Sequence, residues 1–202
     1  MITASALIDK LRLAVETPTV YAKGGFGSWV SRGWIDAMAT LYPSWYAAHR
    51  DHLLQRIGCA AFDCVCLVKG ILWGWDADRK STTGGSVYGS NGVPDTTCEG
   101  LIEACDGGAY SDDVDLIPGE LLYLPGHVAV YIGDGKVIEA NLTEDEDGVC
   151  MIPLGKRRWT RHGRLPWVSY DIMPAPDPDD ERTVRVELRI GPDGEIRAAK
   201  LV

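Results

Sequence analysis

A cysteine at a predicted helix start has the type and position that nucleophilic chemistry requires. Cys64 lies where a loop gives way to a largely apolar helix. The unpaired N–H groups and the dipole of a helix start stabilise a thiolate and lower the pKa of the thiol. A cysteine hydrolase needs such a thiolate, a base beside it and a third group that orients the base. Cys64 is therefore a candidate nucleophile; the alternative is a buried core cysteine, which is common among free cysteines.

A histidine at the head of an apolar strand is the candidate base. Of the four histidines in the chain, His127 alone opens a hydrophobic run, which can hold an imidazole ring rigidly. His49 and His52 are predicted to lie on a solvated helix surface, and His162 on a polar loop among arginines. The alternative is that His127 has only a structural role, with its hydrogen bonds satisfied at the end of a strand.

The third group is predicted from the hairpin that follows His127. A three-residue loop over 133–135, with its last glycine in the left-handed conformation, forms a G1 bulge. Ala129 then faces Glu139, which falls on the same sheet face as His127 and is long enough to reach it. A two-residue loop would turn Glu139 to the opposite face. We therefore predict the first register, with Glu139 holding the imidazole; a solvated strand carboxylate is the alternative.

The elements that must position these residues follow from hydrophobic periodicity. Apolar residues at helical spacing predict helices, and alternating ones predict strands. The predicted helices are residues 4–16, residues 34–57 with a break near Pro43, a buried helix that starts near Asp63, and a short helix near 98–105. The predicted strands are residues 120–124, 127–132, 136–141 and a short one near 150–153. Most of the remaining segment 76–112 is predicted to be loop.

Four segments of the chain resemble signatures of the NlpC/P60 cysteine peptidases, in the order found in that family. They are Tyr21-Ala-Lys-Gly-Gly25, Asp63-Cys-Val-Cys-Leu-Val68, Pro118-Gly-Glu-Leu-Leu-Tyr123 and Gly126-His-Val-Ala-Val-Tyr-Ile-Gly-Asp-Gly135. They are similar to the family's Tyr-x-x-Gly-Gly loop, Asp-Cys-Ser-Gly-Leu-Val helix start, Pro-Gly-Asp-Leu strand and Gly-His-Val-Gly-Ile-Tyr-Ile-Gly-Asn-Gly hairpin. One match alone would be weak, whereas four in order are a strong signal.

The resemblance implies an α+β, papain-like fold, in which an N-terminal helix bearing the cysteine packs on an antiparallel β-sheet bearing the histidine. It implies Cys64 as nucleophile, His127 as base and Glu139 as the third polar group. It also implies Tyr21 and Asp63 on the substrate and oxyanion side of the site. The Cys64 N–H, at the helix start, is the natural oxyanion donor.

Two departures from the family pattern stand out. Val65-Cys66 replaces the usual Ser-Gly, and Cys66 is interpreted as core packing because it points away from Cys64 on a helix. Residues 27–58 form an insertion relative to the compact pattern. Its tryptophans line a substrate groove or cap the core; they are Trp29, Trp34 and Trp45.

The implied activity is that of a cysteine endopeptidase that hydrolyses an amide bond in peptidoglycan stem peptides without a cofactor. The typical bond in the family follows a D-glutamyl residue. Two alternatives share the fold or the Cys/His chemistry: a non-catalytic phage tail or structural adaptor, and a CHAP-type amidase. No Cys-x-x-Cys pair occurs, so no metal site is predicted.

Charge and composition exclude some partners. The formal net charge of -9 repels phosphate backbones, so nucleic acid is not expected as a partner, nor is a membrane surface. No apolar stretch has the length of a membrane span, and residues 1–17 lack a signal-peptide pattern. We expect synthesis in the cytoplasm and action on the wall after lysis or phage delivery, as for a phage or prophage lysin.

The C-terminus differs in composition from the rest of the chain. Residues 174–180 are rich in Pro and Asp and predict a linker between a main domain over 1–173 and a β-hairpin over 181–202. A single hairpin is too small to be stable alone. It is therefore expected to pack on the main domain or on a partner, such as a phage assembly.

Overall fold

The computed structural model describes residues 1–143, 145–170, 186–190 and 196–201. By its contacts the chain divides into two units, Met1–Tyr170 and Asp171–Val202. Five α-helices lie in the described part of the first unit: α1 (Ala4–Glu16), α2 (Arg32–Leu41), α3 (Pro43–Leu54), α4 (Cys64–Leu72) and α5 (Cys98–Glu103). The bounds of α1 match the predicted 4–16, and the break between α2 and α3 lies at Pro43, as expected.

Eleven strands accompany these helices among the described residues of the first unit. They are β1 (Ile2–Thr3), β2 (Thr19–Tyr21), β3 (Phe26–Trp29), β4 (Ala60–Phe62), β5 (Asp106–Ala109), β6 (Leu121–Leu124), β7 (His127–Gly133), β8 (Lys136–Leu142), β9 (Asp147–Pro153), β10 (Arg161–Arg164) and β11 (Val168–Ser169). The main sheet has six antiparallel strands in the order β5-β10-β6-β7-β8-β9. A three-stranded sheet, β2-β4-β3, and the parallel pair β1-β11 complete the unit.

Side-chain caps fix where four of the helices begin. Thr3, Ser31, Asp63 and Thr97 each accept a hydrogen bond from a backbone N–H in the first turn that follows. Such caps satisfy N–H groups that have no acceptor within the helix. Helix α3 instead begins at Pro43, where the missing N–H costs nothing.

The main core lies between α1, α4 and one face of the six-stranded sheet. Its buried side chains come from all three, among them Leu7, Leu11, Leu67, Ile71, Val128, Val130 and Ile138. Alternate residues of the same strands face the other way, into a smaller apolar cluster of Leu122, Ala129, Val137, Ile152 and Trp159. This arrangement is the expected α+β fold, with the cysteine helix packed against the antiparallel sheet. In this chain that helix is the fourth, because α1, α2 and α3 precede it.

The segment 27–58 begins and ends at the three-stranded sheet β2-β4-β3. It runs from β3 through α2 and α3 and returns to β4, which pairs with β3 on one side and with β2 on the other. Helices α2 and α3 cover a separate apolar cluster that includes Ile35, Tyr46 and Leu53. Strand β2, which carries Tyr21, therefore stays beside the strand that leads into Cys64.

The second unit contains an antiparallel pair, β12 (Val186–Ile190) and β13 (Ile196–Leu201), with a register shift between Arg189 and Ile190. The predicted linker over 174–180 lies outside the described residues. Among the helices that the structure describes, none combines the length and the apolar character that crossing a bilayer needs.

Candidate active site

Cys64 is the first residue of α4, immediately after its N-cap. The Asp63 carboxylate accepts one hydrogen bond from the Cys66 N–H and one from the Gly24 N–H, both at 2.7 Å. Both carboxylate oxygens are thus engaged by backbone amides. This carboxylate joins the glycine loop to the helix start. Asp63 also lines the cavity beside the thiol, and its role on the substrate or oxyanion side stays a prediction.

The glycine loop fits against β4 because Gly25 has no side chain. A Cβ atom at Gly25 would lie 2.7 Å from the carbonyl oxygen of Ala61, which is closer than real Cβ atoms come. The Gly25 carbonyl in turn accepts a hydrogen bond from the Asp63 N–H at 3.1 Å. The close approach of loop and strand explains the glycine and fixes the backbone on both sides of Asp63.

Tyr21 lies near the thiol, as the sequence resemblance implies. It is the last residue of β2 and pairs with Phe62, two residues before Cys64. Burial raises the pKa of the Tyr21 hydroxyl above its usual value, and the nearby Cys64 charge raises it further. The hydroxyl therefore stays protonated and remains a hydrogen-bond donor beside Cys64.

His127 and Glu139 meet across the β7-β8 hairpin. The His127 Nε2 lies 2.8 Å from a Glu139 carboxylate oxygen, and the Glu139 side chain is fully buried. Bonding Nε2 to the carboxylate leaves Nδ1 as the ring nitrogen that can serve Cys64. The indole of Trp159 lies nearly parallel to the imidazole, 6.1 Å away between ring centres. The ring of His127 is thus held on two sides.

The hairpin reaches this arrangement by a different turn from the predicted one. Gly133 pairs with Lys136, so the loop has two residues, Asp134 and Gly135, both with positive φ as a type I′ turn requires. A register shift between Tyr131 and Gly133 inserts one extra residue in β7. The bulge offsets the shorter loop, and Val130 therefore pairs with Ile138. Glu139 keeps the expected face, whereas the three-residue loop was wrong.

Arg157 is a residue of the site that the sequence did not reveal. Its guanidinium group donates to both oxygens of Glu139, through Nε at 3.1 and 3.3 Å and through a second nitrogen. The same group donates to Glu146 at 2.9 Å. Burial disfavours the Glu139 charge, but the hydrogen bonds from His127 and Arg157 outweigh it and hold the pKa of Glu139 below its usual range. The buried carboxylate is therefore charged and paired on both sides.

Cys98 is the second residue that sequence reasoning missed. It begins α5, and its Sγ lies 3.6 Å from the Sγ of Cys64. The Cys98 thiol donates a hydrogen bond to Cys64, and this contact, opposed by burial and supported by His127, lowers the pKa of Cys64 to about 4. The same contact and burial raise the pKa of Cys98 above its usual value. Cys64 is therefore the thiolate of the pair, and Cys98 keeps its proton.

The histidine carries the matching charge. Burial disfavours the His127 imidazolium, but hydrogen bonds to Cys64 and Glu139 outweigh it and raise the pKa of His127 to about 9. Between these two values the site holds a thiolate beside an imidazolium. The N–H groups in the first turn of α4 have no acceptor within the helix and can stabilise a negative charge there. A thiolate, a proton donor and an oxyanion site are the parts needed for acyl transfer.

A cavity of about 540 Å³ opens beside the thiol. Its lining includes Val65, Cys98 and Gly126, which adjoin Cys64 in sequence or in space. Met38 and Leu41 of α2 form another part of its wall. Segment 27–58 thus contributes aliphatic side chains to the groove.

The tryptophans of the same segment mostly pack against other parts of the protein. Trp34 and Trp45 pack on the cluster under α2 and α3. The Arg79 guanidinium lies 3.5 Å from the centre of the Trp29 ring. The three rings thus pack within the fold, and Trp29 and Trp34 also line a second cavity of about 550 Å³.

The other histidines do not match their expected solvated positions. His49 stacks on Trp45 with ring centres 4.1 Å apart, and the His52 Nε2 lies 3.0 Å from Asp147. His162 lies on β10 rather than on a loop, and its Nδ1 is 3.0 Å from Glu120, a buried carboxylate. His52 and His162 have partners because side chains from distant segments lie beside them, whereas the partner of His49 lies four residues earlier on the same helix.

One group of side chains has the composition of a metal site. Glu139, Glu146 and Cys150 bring their ligand atoms within 4.8 Å of one another. Both carboxylates are already paired with cations: Glu139 with Arg157, and Glu146 with Arg157 and Lys156. Because positive side chains hold these oxygens, the group fits an ion-pair network better than a cation site.

No protein-family model and no curated protein matches this sequence. Similar solved structures include the P60 domain of an antigen from M. avium subspecies paratuberculosis, 18% identical, which covers 80% of this chain and 93% of that one with a TM-score of 0.45. NlpC1 from Trichomonas vaginalis is 13% identical over 80% of this chain and 43% of that one, with a TM-score of 0.42. NlpC2 from the same organism is 12% identical over 81% and 46%, with a TM-score of 0.43.

The chain spans less than half the length of the two T. vaginalis structures that it matches. All three solved structures are of NlpC or P60 proteins.

Proposed function

We propose that this protein is a cysteine peptidase that hydrolyses an amide bond in the stem peptide of bacterial peptidoglycan. One observation carries the reaction type: a thiolate at a helix start adjoins a histidine that a buried carboxylate orients. Cys64, His127 and Glu139 fill these three positions. The substrate class rests on the resemblance of the four sequence segments to NlpC/P60 peptidases.

In the proposed reaction the Cys64 thiolate attacks the carbonyl carbon of the amide. The Cys64 N–H, with the Tyr21 hydroxyl beside it, stabilises the oxyanion that forms. The His127 imidazolium gives its proton to the leaving amine, and a thioester remains on Cys64. His127 then takes a proton from water, which attacks the thioester and releases the acid.

Glu139 and Arg157 act through the histidine. The Glu139 charge favours the imidazolium and fixes the tautomer that points Nδ1 to the thiol. Arg157 in turn keeps Glu139 charged although it is buried. The groove beside Cys64 offers space for several residues of an extended peptide, with Met38 and Leu41 on one wall.

The test is digestion of purified peptidoglycan from walls of different chemistry, with mass spectrometry of the released fragments. Wild type is compared with Cys64→Ala and with Cys105→Ala, a control at a half-buried thiol outside the site. We expect fragments from wild type and from Cys105→Ala but none from Cys64→Ala, and their masses identify the bond. Release by Cys64→Ala would contradict the assigned nucleophile. No release by any variant from any wall would favour the non-catalytic adaptor.

A further inference from the structure

Two of the six cysteines are in van der Waals contact. The Sγ atoms of Cys64 and Cys98 lie 3.6 Å apart, and each side chain is 6% exposed. They come from the starts of two different helices, α4 and α5. A disulfide needs a separation of about 2.05 Å, so the two sulfur atoms have to approach by about 1.5 Å. None of the six cysteines forms a disulfide in the structure.

We propose that Cys64 and Cys98 form a site of reversible oxidation, at which a peroxide oxidises Cys64 and Cys98 converts the product to a disulfide. Oxidation would stop the proposed hydrolysis, an effect that rests on the proposed function, whereas the disulfide itself does not. The oxidant class is a small hydroperoxide, of which hydrogen peroxide is the simplest. Cys98 lines the 540 Å³ cavity, which gives such a molecule a route to the sulfur pair.

The first step oxidises Cys64 alone. The thiolate sulfur attacks one peroxide oxygen, the O–O bond breaks, and Cys64 becomes a sulfenic acid while hydroxide leaves. The His127 imidazolium supplies a proton, so the hydroxide departs as water. The sulfur has then lost two electrons and the peroxide has gained them.

The second step closes the disulfide. The Cys98 sulfur attacks the Cys64 sulfur, the S–O bond breaks, and the hydroxide leaves with the Cys98 proton as a second water. In sum, two sulfur atoms each lose one electron, and one peroxide becomes two waters. A dithiol reverses the reaction by exchange, which returns both thiols and restores the nucleophile.

The contact singles out this pair among the cysteines. Burial raises the pKa of Cys105 and of Cys150 to about 12, so both stay protonated and react poorly with peroxide. Cys66 is buried near Asp63, and its pKa is also raised. Cys64 is therefore the thiolate that a peroxide oxidises, and Cys98 lies where its sulfur can attack the sulfenic acid that forms on Cys64. The disulfide would hold the nucleophile in a form that cannot attack a carbonyl, and it would protect the sulfur from irreversible oxidation.

The test uses the full-length reduced protein and graded hydrogen peroxide. Free thiols are blocked after treatment, and intact mass and peptide mapping are measured. Cys98→Ser is the variant, and Cys105→Ser is the matched control, because Cys105 lies just beyond the other end of α5. Accessibility of Cys64 to iodoacetamide is measured before and after a dithiol is added. None of these measurements needs a substrate.

We expect wild type and Cys105→Ser to lose two hydrogen atoms in mass and to yield a Cys64–Cys98 cross-linked peptide. Alkylation of Cys64 should be lost on oxidation and return with the dithiol. Cys98→Ser should instead gain two or three oxygen atoms on Cys64, and the dithiol should not reverse this. Over-oxidation of Cys64 in wild type without a cross-link, or a cross-link to another cysteine, would overturn the proposal. Peptide mapping of the oxidised wild type tests the cross-link by itself, even if Cys98→Ser fails to fold.

Discussion

The protein contains two groupings of cysteine, histidine and glutamate beside one sheet. In the first, Cys64 adjoins His127, which is 2.8 Å from Glu139. In the second, the His162 Nδ1 is 3.0 Å from a carboxylate oxygen of Glu120. The Glu120 charge also helps to raise the pKa of the nearby Cys105 thiol. Both glutamates are buried. The residue types alone therefore do not distinguish the candidate site from its counterpart.

The groups around each sulfur distinguish the two thiols. Cys64 is the first residue of α4, and hydrogen bonds from Cys98 and His127 lower its pKa to about 4. Cys105 lies just beyond the C-terminal end of α5 and donates to the Leu101 carbonyl at 3.2 Å. Burial raises its pKa to about 12, and Glu120 adds to the rise. Hydrogen-bond donors at the sulfur favour a thiolate, whereas burial near a carboxylate favours a thiol. Helix position alone does not decide the outcome, because Cys98 also begins a helix and keeps its proton.

The two histidines also differ in which nitrogen is bound. His127 gives Nε2 to its carboxylate, whereas His162 gives Nδ1. The Glu139 carboxylate has Arg157 as a second partner. The first grouping is thus built around a charge pair, thiolate and imidazolium.

The largest effect should come from removing the Glu139 charge. Glu139→Gln keeps the shape of the side chain but removes its charge. The change lowers the pKa of His127, so the imidazolium is less stable, and it leaves Arg157 without its buried charge partner. We expect kcat/KM for peptidoglycan fragments to fall about a thousandfold and the free energy of unfolding to fall by about 3 kcal/mol. Glu120→Gln is the matched control, because it removes an equally buried, histidine-paired carboxylate. Equal losses of activity in the two variants would mean that Glu139 serves stability only.

The pH dependence of hydrolysis should distinguish the role of Glu139 from that of Glu120. Below the Cys64 pKa of about 4 the thiolate is protonated, and above the His127 pKa of about 9 the leaving amine loses its proton donor. We expect kcat/KM to be highest between these values and to fall about tenfold per pH unit beyond them. Since Glu139 supports the imidazolium, Glu139→Gln should move the alkaline limb to lower pH. Glu120→Gln should leave it in place, and movement in that variant would refute the distinction.

A smaller effect is expected when Arg157 keeps its charge but loses its geometry. Lysine lacks the planar fork of N–H groups with which the Arg157 guanidinium pairs both oxygens of Glu139. We expect Arg157→Lys to reduce kcat about tenfold, because the carboxylate and the imidazole it holds become less fixed. Arg158→Lys, on an exposed neighbour, is the control and should leave kcat unchanged. Steady-state kinetics on the same substrate measure both, and wild-type kcat for Arg157→Lys would show that positive charge alone suffices.

The smallest effect on activity should come from the helix cap. Asp63→Ala removes the acceptor for the Cys66 and Gly24 N–H groups. We expect a loss of about 2 kcal/mol in the free energy of unfolding. We also expect about a fivefold loss of activity, because the glycine loop that follows Tyr21 is held less firmly. Ser31→Ala removes the cap of α2 and should cost about 1 kcal/mol without loss of activity. Denaturant unfolding and kinetics test both; a larger activity loss in Ser31→Ala would contradict this ranking.

Local patterns were enough to find the parts of the site that lie in regular elements. Apolar spacing gave α1 its bounds, and the apolar run after His127 predicted β7 to within one residue. The face of Glu139 was also predictable, although the turn was not. A bulge at the end of β7 compensated for the short loop, and neither is visible in the alternation of β7 and β8 themselves.

The partners from distant segments could not be predicted in this way. Arg157 lies 18 residues after Glu139, and Cys98 lies 34 residues after Cys64, with no motif that ties either to its partner. Strand β10 is polar, so its alternation gives no signal, and it forms because it pairs with β5 and β6. Such contacts depend on the tertiary fold rather than on local sequence.

The most direct test of the account is the pH dependence of alkylation at Cys64, with Cys105 as the internal reference. The reduced protein is treated briefly with iodoacetamide across a range of pH, and modification of each cysteine is quantified by peptide mapping. We predict that Cys64 reacts with a midpoint near its pKa of about 4, and that Cys105 reacts only in strong alkali, near its pKa of about 12. A Cys64 midpoint at or above the ordinary value for a cysteine, about 8.5, would contradict the thiolate on which the account depends.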